Sequence, residues 1–197
     1  AIRFQLIGYD AIRLEAAEWP FAAGAIRVRP VDFVFGADAN RIVAEAENWD
    51  LPTLIEQFKI PDIKVNGKVS GEFPVVFRTG SARVDNALLQ ASSQGGVIQY
   101  TGSTGDAAAQ ADQNAKMLFE ALRDFRYKVL KLGLDGDIAG KMVLSLTLQG
   151  RNPKVLDGAP FDLNISIDSA LMDLLNTTSR GTPEVNAVID AITGACN

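Results

Sequence analysis

The sequence predicts a mainly β fold, a meandering antiparallel sheet with a few helices packed at one face or end. Three observations carry this expectation. Apolar residues recur at every second position in segment after segment, the period of a strand with one buried and one wet face. Helical periodicity is confined to a few segments, too few for alternating βαβ units. The chain has 197 residues, of which 47% are hydrophobic and 22% charged, so it is long and apolar enough to bury a sizeable core.

The elements follow in chain order. Ile2, Phe4 and Leu6 alternate with polar neighbours from the outset. With no initiator Met or signal peptide ahead of them, a fragment of a longer protein is expected, cut at or inside the sheet. Ile12 and Leu14, then Ile26 and Val28, continue the pattern, and Ile42, Ala44 and Ala46 alternate against Val43, Glu45 and Glu47. Leu51, Leu54, Ile55 and Phe58 form a short helical stripe. Ile63, Val65, Val69, Phe73, Val75 and Phe77 share one parity over residues 63–78, with Gly67 and Gly71 on the same side. Those glycines remove side chains from one face and permit sharp curvature, whereas Pro61 and Pro74 belong at strand starts, bulges or edges.

A second helix is predicted over 104–125 from Ala107, Ala111, Leu118, Leu122 and Phe125, with Thr104 or Asp106 as its cap. The phase then slips. Phe125, Tyr127 and Val129 share a parity, but Leu130, Leu132 and Leu134 take the other. A bulge near Val129 and Leu130 keeps both sets on one face, or else this strand is buried on both. Met142, Leu144, Leu146 and Leu148 fill one side of 141–149, opposite Ser145, Thr147 and Gln149. Turns at Gly150-Arg151-Asn152-Pro153 and Asp157-Gly158 separate it from a strand carrying Phe161, Leu163, Ile165 and Ile167. Leu171, Leu174 and Leu175 suit a further helix, and Val185, Val188, Ile189 and Ile192 a last one after Pro183. The expected organisation is a single module over 1–197. It comprises a strand block 1–100, a helix 104–125, a second strand block 126–175 and a terminal helix 183–195.

Composition removes several kinds of function. The chain has no histidine, which takes away the commonest general base, the Ser-His-Asp and Cys-His arrangements and most transition-metal sites. Its single cysteine, Cys196, allows neither an internal disulfide nor a cysteine zinc cluster. A formal charge of −5 argues against nucleic acid or an anionic membrane surface as a general partner. Arg123, Arg126, Lys128 and Lys131 are offset by Glu120 and Asp124 and read as a solvated helix end and strand face. Asp135 and Asp137 around Gly136 read as hairpin-turn chemistry, not a calcium or catalytic pair. Gly102-Ser103-Thr104-Gly105 lacks the ending of a P-loop and reads as a linker with a helix cap. No stretch approaches the roughly 18–20 apolar residues of a membrane-spanning helix. No catalytic residue, metal or cofactor is therefore expected.

Two stretches are more particular. The first is Ile60-Pro61 through Phe77 (Ile-Pro-Asp-Ile-Lys-Val-Asn-Gly-Lys-Val-Ser-Gly-Glu-Phe-Pro-Val-Val-Phe), leading to Gly95-Gly96-Val97-Ile98-Gln99-Tyr100. The second runs from Leu122-Arg123-Asp124-Phe125-Arg126-Tyr127 through Leu134-Asp135-Gly136-Asp137, Gly140 and the strand to Leu148. It continues with Gly150-Arg151-Asn152-Pro153 and closes on Leu163-Asn164-Ile165. Together they resemble the C-terminal region of the YdbH-like family, relatives of the TamB and AsmA-like envelope proteins, over about residues 51–175. Pro61, Gly67, Gly71, Pro74, Tyr100, Phe125, Tyr127, Gly136, Gly140, Gly150, Asn152 and Pro153 are the positions that match as structural residues.

The resemblance implies a long periplasmic protein anchored in the inner membrane by an N-terminal segment. It implies a taco-shaped trough for the acyl chains of phospholipids passing to the outer membrane. It also implies a small outer-membrane lipoprotein partner joined by strand addition. Some descriptions of the family give dicarboxylate transport instead, for which the residues offer no site. Candidate groove residues are Phe73, Val75, Phe77, Met142, Leu144, Leu146, Leu148, Leu163 and Ile165. A strand of eight or nine residues spans roughly 25–30 Å, about a bilayer's hydrocarbon thickness. The same face also suits a core covered by the helices, and helices plugging part of it with the rest open is the expectation. Trp19, Trp49, Tyr100 and Tyr127 are either rim anchors or partly buried structural aromatics. The alternative function is a strand-pairing scaffold that uses exposed sheet edges. A lectin-like sandwich is a third reading.

Overall fold

The computed structural model describes residues 2–92, 94–102 and 113–170. Twelve strands form one antiparallel sheet that curls into an open half-barrel, and strands make up 65% of what is described. In chain order they are β1 (Ile2–Ile7), β2 (Ala11–Phe21), β3 (Gly24–Val28), β4 (Val31–Val34), β5 (Asn40–Asp50) and β6 (Ile63–Val65). There follow β7 (Lys68–Arg78), β8 (Ser81–Ala91), β9 (Gly96–Tyr100), β10 (Phe125–Asp137), β11 (Lys141–Arg151) and β12 (Pro160–Ala170). The spatial order is β1-β2-β3-β5-β7-β8-β10-β11-β12. Two long strands each carry two others along one edge. β2 pairs with β3 through Ala17–Phe21 and with β4 through residues 11–14. β10 pairs with β8 from Lys131 onward and with β9 at residues 125–127, and β6 pairs with β9.

The helices are α1 (Leu51–Gln57) and α2 (Gln113–Leu122). Asp50 caps α1, its carboxylate accepting from the Thr53 N–H and hydroxyl at 3.2 and 2.8 Å, with Pro52 in the first turn where no N–H is missed. Leu51 and Leu54 of its stripe are buried, but Phe58 is the cap residue and 43% exposed. It therefore leaves the predicted stripe, because the helix ends before it. The second stripe also stops early. α2 ends at Leu122 and Phe125 opens β10, since Phe125 suits both periods and pairing with Ile98 decides for the strand. Thr104, Asp106, Ala107 and Ala111 lie outside the described residues. So do Leu171, Leu174, Leu175, Pro183 and the predicted terminal helix.

Both helices pack at one end of the sheet, where the main core gathers Trp49, Leu51, Leu54, Val69, Leu89, Ala121, Phe125, Tyr127, Leu130 and Leu148. Burying side chains of this size contributes about 1.5–3 kcal/mol each. Asn152, itself buried, pins α2 by donating from Nδ2 to the Glu120 and Ala121 carbonyls, both at 3.0 Å. A smaller cluster of Val84, Ala87 and Met142 forms toward the other end.

The predicted bulge in β10 is present. The register with β11 shifts between Tyr127 and Val129, so Phe125, Tyr127 and Leu130 are all buried despite their opposite parity. The shared parity over 63–78 is divided between two strands. β6 and β7 separate at Asn66 and Gly67, where the Asn66 side chain accepts from Val97 N–H at 2.6 Å and Gly67 has φ +114°. Pro74 sits in β7 where the register with β8 shifts, at a bulge as expected. Gly150 and Arg151 belong to β11, and the turn begins at Asn152, whose carbonyl accepts from the Val155 N–H at 3.2 Å, before a 3₁₀ segment at Leu156–Gly158. Asp137 does bond the turn, accepting from the Ala139 N–H at 2.9 Å, but Asp135 points into the sheet's polar face and pairs with Arg83.

Candidate functional site

Register places every candidate groove residue on one face. A single row crosses eight strands: Trp19, Ile26, Ala46, Gly71, Leu89, Leu132, Leu146, Ile165. Beside it run Ala44 with Phe73, Ala87 with Leu134 and Leu144, and Leu130 with Leu148 and Leu163. Further out, Ile42, Val75 and Val84 lead to Gly136 and Met142, with Phe77 beyond. Opposed residues in an antiparallel pair share a face, so the nine residues from β7 and from the paired β11 and β12 form one apolar surface.

The face is covered unevenly. Leu148 is 1% exposed beneath the helical end and belongs to the main core. Phe73 packs between the two clusters, its ring 5.5 Å from Trp49, which in turn lies 4.7 Å from Phe21. Met142 is buried in the smaller cluster. Val75, Leu144, Leu146, Leu163 and Ile165 are only half-buried, and Phe77 is exposed with its ring 6.4 Å from Phe33. At the β1 edge the face is barest, with Phe4 62% exposed between Ile2 and Leu6.

The matched structural residues gather mainly around the helical end. Tyr127 donates its hydroxyl to the Asn66 carbonyl at 2.7 Å, and burial pushes its phenol pKa up. A Cβ on Gly67 would lie 2.2 Å from that hydroxyl, and one on Gly150 2.3 Å from the Arg126 carbonyl oxygen. A Cβ on Gly71 would lie 1.9 Å from the Leu88 carbonyl oxygen, so there glycine admits the neighbouring strand's backbone. Tyr100 stacks at a tilt on Phe119 at 5.3 Å, and Phe125 meets Phe161 edge-on at 6.4 Å. Gly136 and Gly140 lie at the opposite end, closing the β10–β11 hairpin, while Pro61 and Pro153 are exposed in loops. Of the four aromatics considered as rim anchors, Trp49 and Tyr127 are core residues, Tyr100 is half-buried and Trp19 is exposed.

The opposite face is charged and paired. Arg13 grips Asp32 through two bonds of 2.7 and 2.8 Å. Arg27 bridges Glu18 and Glu47, Arg29 bridges Glu45 and Glu72, Arg41 reaches Asp85, and Arg83 reaches Asp135. These guanidinium hydrogen bonds hold the Asp32, Glu18 and Asp85 carboxyls below their usual pKa. Among the described residues no group of three or more His, Cys, Asp or Glu side chains could hold a metal ion.

The sequence reading overlooked β8 and β4. In β8 the apolar parity changes between Val84 and Ala87 at Asn86, whose φ is +53°, so no unbroken alternation marks the strand. The Thr79-Gly80 turn between Phe77 and Ala82 was the available signal. β8 supplies Val84, Ala87 and Leu89, which join the β7 and β10 portions of the apolar face.

The model of the YdbH-like family, described as intermembrane phospholipid transport protein YdbH, matches residues 3–188. The chain belongs to that family, a phospholipid-transport family of the cell envelope. No curated protein and no solved structure matches it. Among the described residues no helix is long and apolar enough to cross a membrane.

Proposed function

We propose that the uncovered part of the apolar face is a groove for phospholipid acyl chains. The chain is then a C-terminal module, 1–197, of a periplasmic protein anchored in the inner membrane by a segment N-terminal to it. The observation that carries this reading is the apolar row running unbroken over eight strands in a member of a phospholipid-transport family. Acyl chains ask only for continuous apolar contact, and an eleven-residue strand gives a width of about 36 Å, enough for a bilayer's hydrocarbon depth. Val75, Phe77, Leu144, Leu146, Leu163 and Ile165 line the path. Phe73, Met142 and Leu148 form its floor and its closed end.

Native mass spectrometry of the protein purified from bacterial membranes tests this. Phospholipid is expected to accompany the wild type and to be lost in Leu144→Asp, at a half-buried position, with the melting temperature little changed. A wild type free of lipid removes the reading.

A second reading has its own observation. β1 forms an edge of the sheet, unpaired on its outer side among the described residues, with Ile2, Phe4 and Leu6 all strongly exposed. Such an edge suits strand addition by a small outer-membrane lipoprotein. Disulfide trapping between cysteines placed along the edge strands and the lipoprotein checks it, and no adduct at any register rules the pairing out.

A further inference from the structure

We propose that a cavity on the outward side of α1 holds a zwitterionic phospholipid headgroup, a phosphate beside an ammonium. This rests on the phospholipid reading above and gives the head a place that the apolar face does not. The cavity measures about 410 Å³, within the usual range for small-molecule sites. Ile55, Ile60 and Ile63 form apolar walls, and Glu56, Lys59 and Lys64 stand around them. The chemistry matches part by part. Two ammonium groups suit a phosphodiester, one carboxylate suits the headgroup amine, and the apolar walls suit the glycerol and the first methylenes. The arginines of the polar face are spent on carboxylates, whereas Lys59 and Lys64 are exposed and without an ion pair among the described residues.

The backbone supplies a second, independent observation. α1 closes with two bonds, Ile60 N–H to the Ile55 carbonyl at 3.0 Å and Lys59 N–H to the Glu56 carbonyl at 3.1 Å. This is the helix ending whose left-handed position ordinarily belongs to glycine. Here that position is Lys59, with φ +49°. A Cβ there acts against the backbone's preference, and such a cost at a lysine lining the cavity points to a use for its side chain. The same two bonds hold Lys59 and Ile60 fixed at the lip of the cavity.

Lys59→Gly is therefore a clean probe, because it removes the ammonium while suiting the backbone. Amide NMR shifts are to be followed on the full chain with dihexanoyl phosphatidylethanolamine, with glycerophosphoethanolamine and with inorganic phosphate. The short-chain lipid is expected to shift amides of 52–65 saturably. Lys59→Gly and Lys64→Gln should each weaken that binding about tenfold, with no loss of thermal stability in Lys59→Gly. Glycerophosphoethanolamine should act on the same amides more weakly, for want of methylenes. Inorganic phosphate matching the lipid makes the cavity a general anion site and overturns the proposal. Shifts confined to the Leu144 and Leu146 region overturn the headgroup site but leave the acyl groove standing. Shifts in neither place overturn both.

Discussion

Tyr127 is buried in the main core, and its hydroxyl is the partner of the Asn66 carbonyl at the break between β6 and β7. Tyr127→Phe keeps the ring and deletes that partner, leaving a carbonyl short of a bond at a crowded position beside Gly67. A loss of about 1–2 kcal/mol is expected, read as a lower denaturant midpoint at unchanged slope in urea unfolding. The sequence marked Gly67 and Tyr127 as matched positions but gave no reason to join them, since they are sixty residues apart, one at a break between strands and the other within β10. Asn152 is similar. As one residue of a turn-like run it read as turn chemistry, and its side-chain oxygen does accept from the Lys154 N–H at 2.9 Å, but its amide also closes the end of α2. Side chains that bond across the fold carry no local period, so their roles emerge only with the fold.

At the scale of the element, β10 carries both a legible and an illegible feature. Its phase slip was readable because Leu130, Leu132 and Leu134 alternate as strictly as Phe125 and Tyr127 do, and only an extra residue reconciles the two. Where Phe125 stands was not readable, because it continues the helical spacing of Leu118 and Leu122 and equally opens the alternation. The bulge makes a sharp comparison possible between two deletions of the same residue type. Removing Lys128 takes out the extra residue and leaves Tyr127 and Leu130 on one parity, so the β10–β11 register survives. Removing Lys131 throws Leu132 and Leu134 onto the charged face, against the row they share with Leu146 and Leu144. The Lys128 deletion is expected to fold with a cooperative thermal transition and the Lys131 deletion to be insoluble or unfolded. Circular dichroism and size-exclusion elution distinguish them, and equal behaviour of the two would remove the assigned role of the bulge.

Across the whole molecule the two faces divide the work. Burial at the helical end, which draws in Ala22, Ala46 and Trp49, and in the smaller cluster holds the apolar face. On the opposite face a ladder of separate ion pairs adds to the backbone pairing: Asp32 with Arg13, Glu18 and Glu47 with Arg27, Glu45 and Glu72 with Arg29, Asp85 with Arg41, and Asp135 with Arg83. Each pair is exposed and contributes little by itself, but together they link consecutive strands over most of the sheet. Their sign with pH follows from the carboxylates. Asp32, Glu18 and Asp85 are held below their usual pKa by guanidinium hydrogen bonds, so between the folded and unfolded values the unfolded chain binds more protons. The stabilisation is thus full above the ordinary carboxylate range and drains away as pH falls through the depressed folded values. The melting temperature should hold steady from neutrality to about pH 5 and then drop toward about pH 3. Because the pairs face water, about 1 M salt should lower the neutral-pH value and flatten the acid limb. An acid limb that keeps its full slope in high salt would assign it to carboxylates outside the ladder. The open half-barrel would then be held by backbone pairing and apolar contact alone.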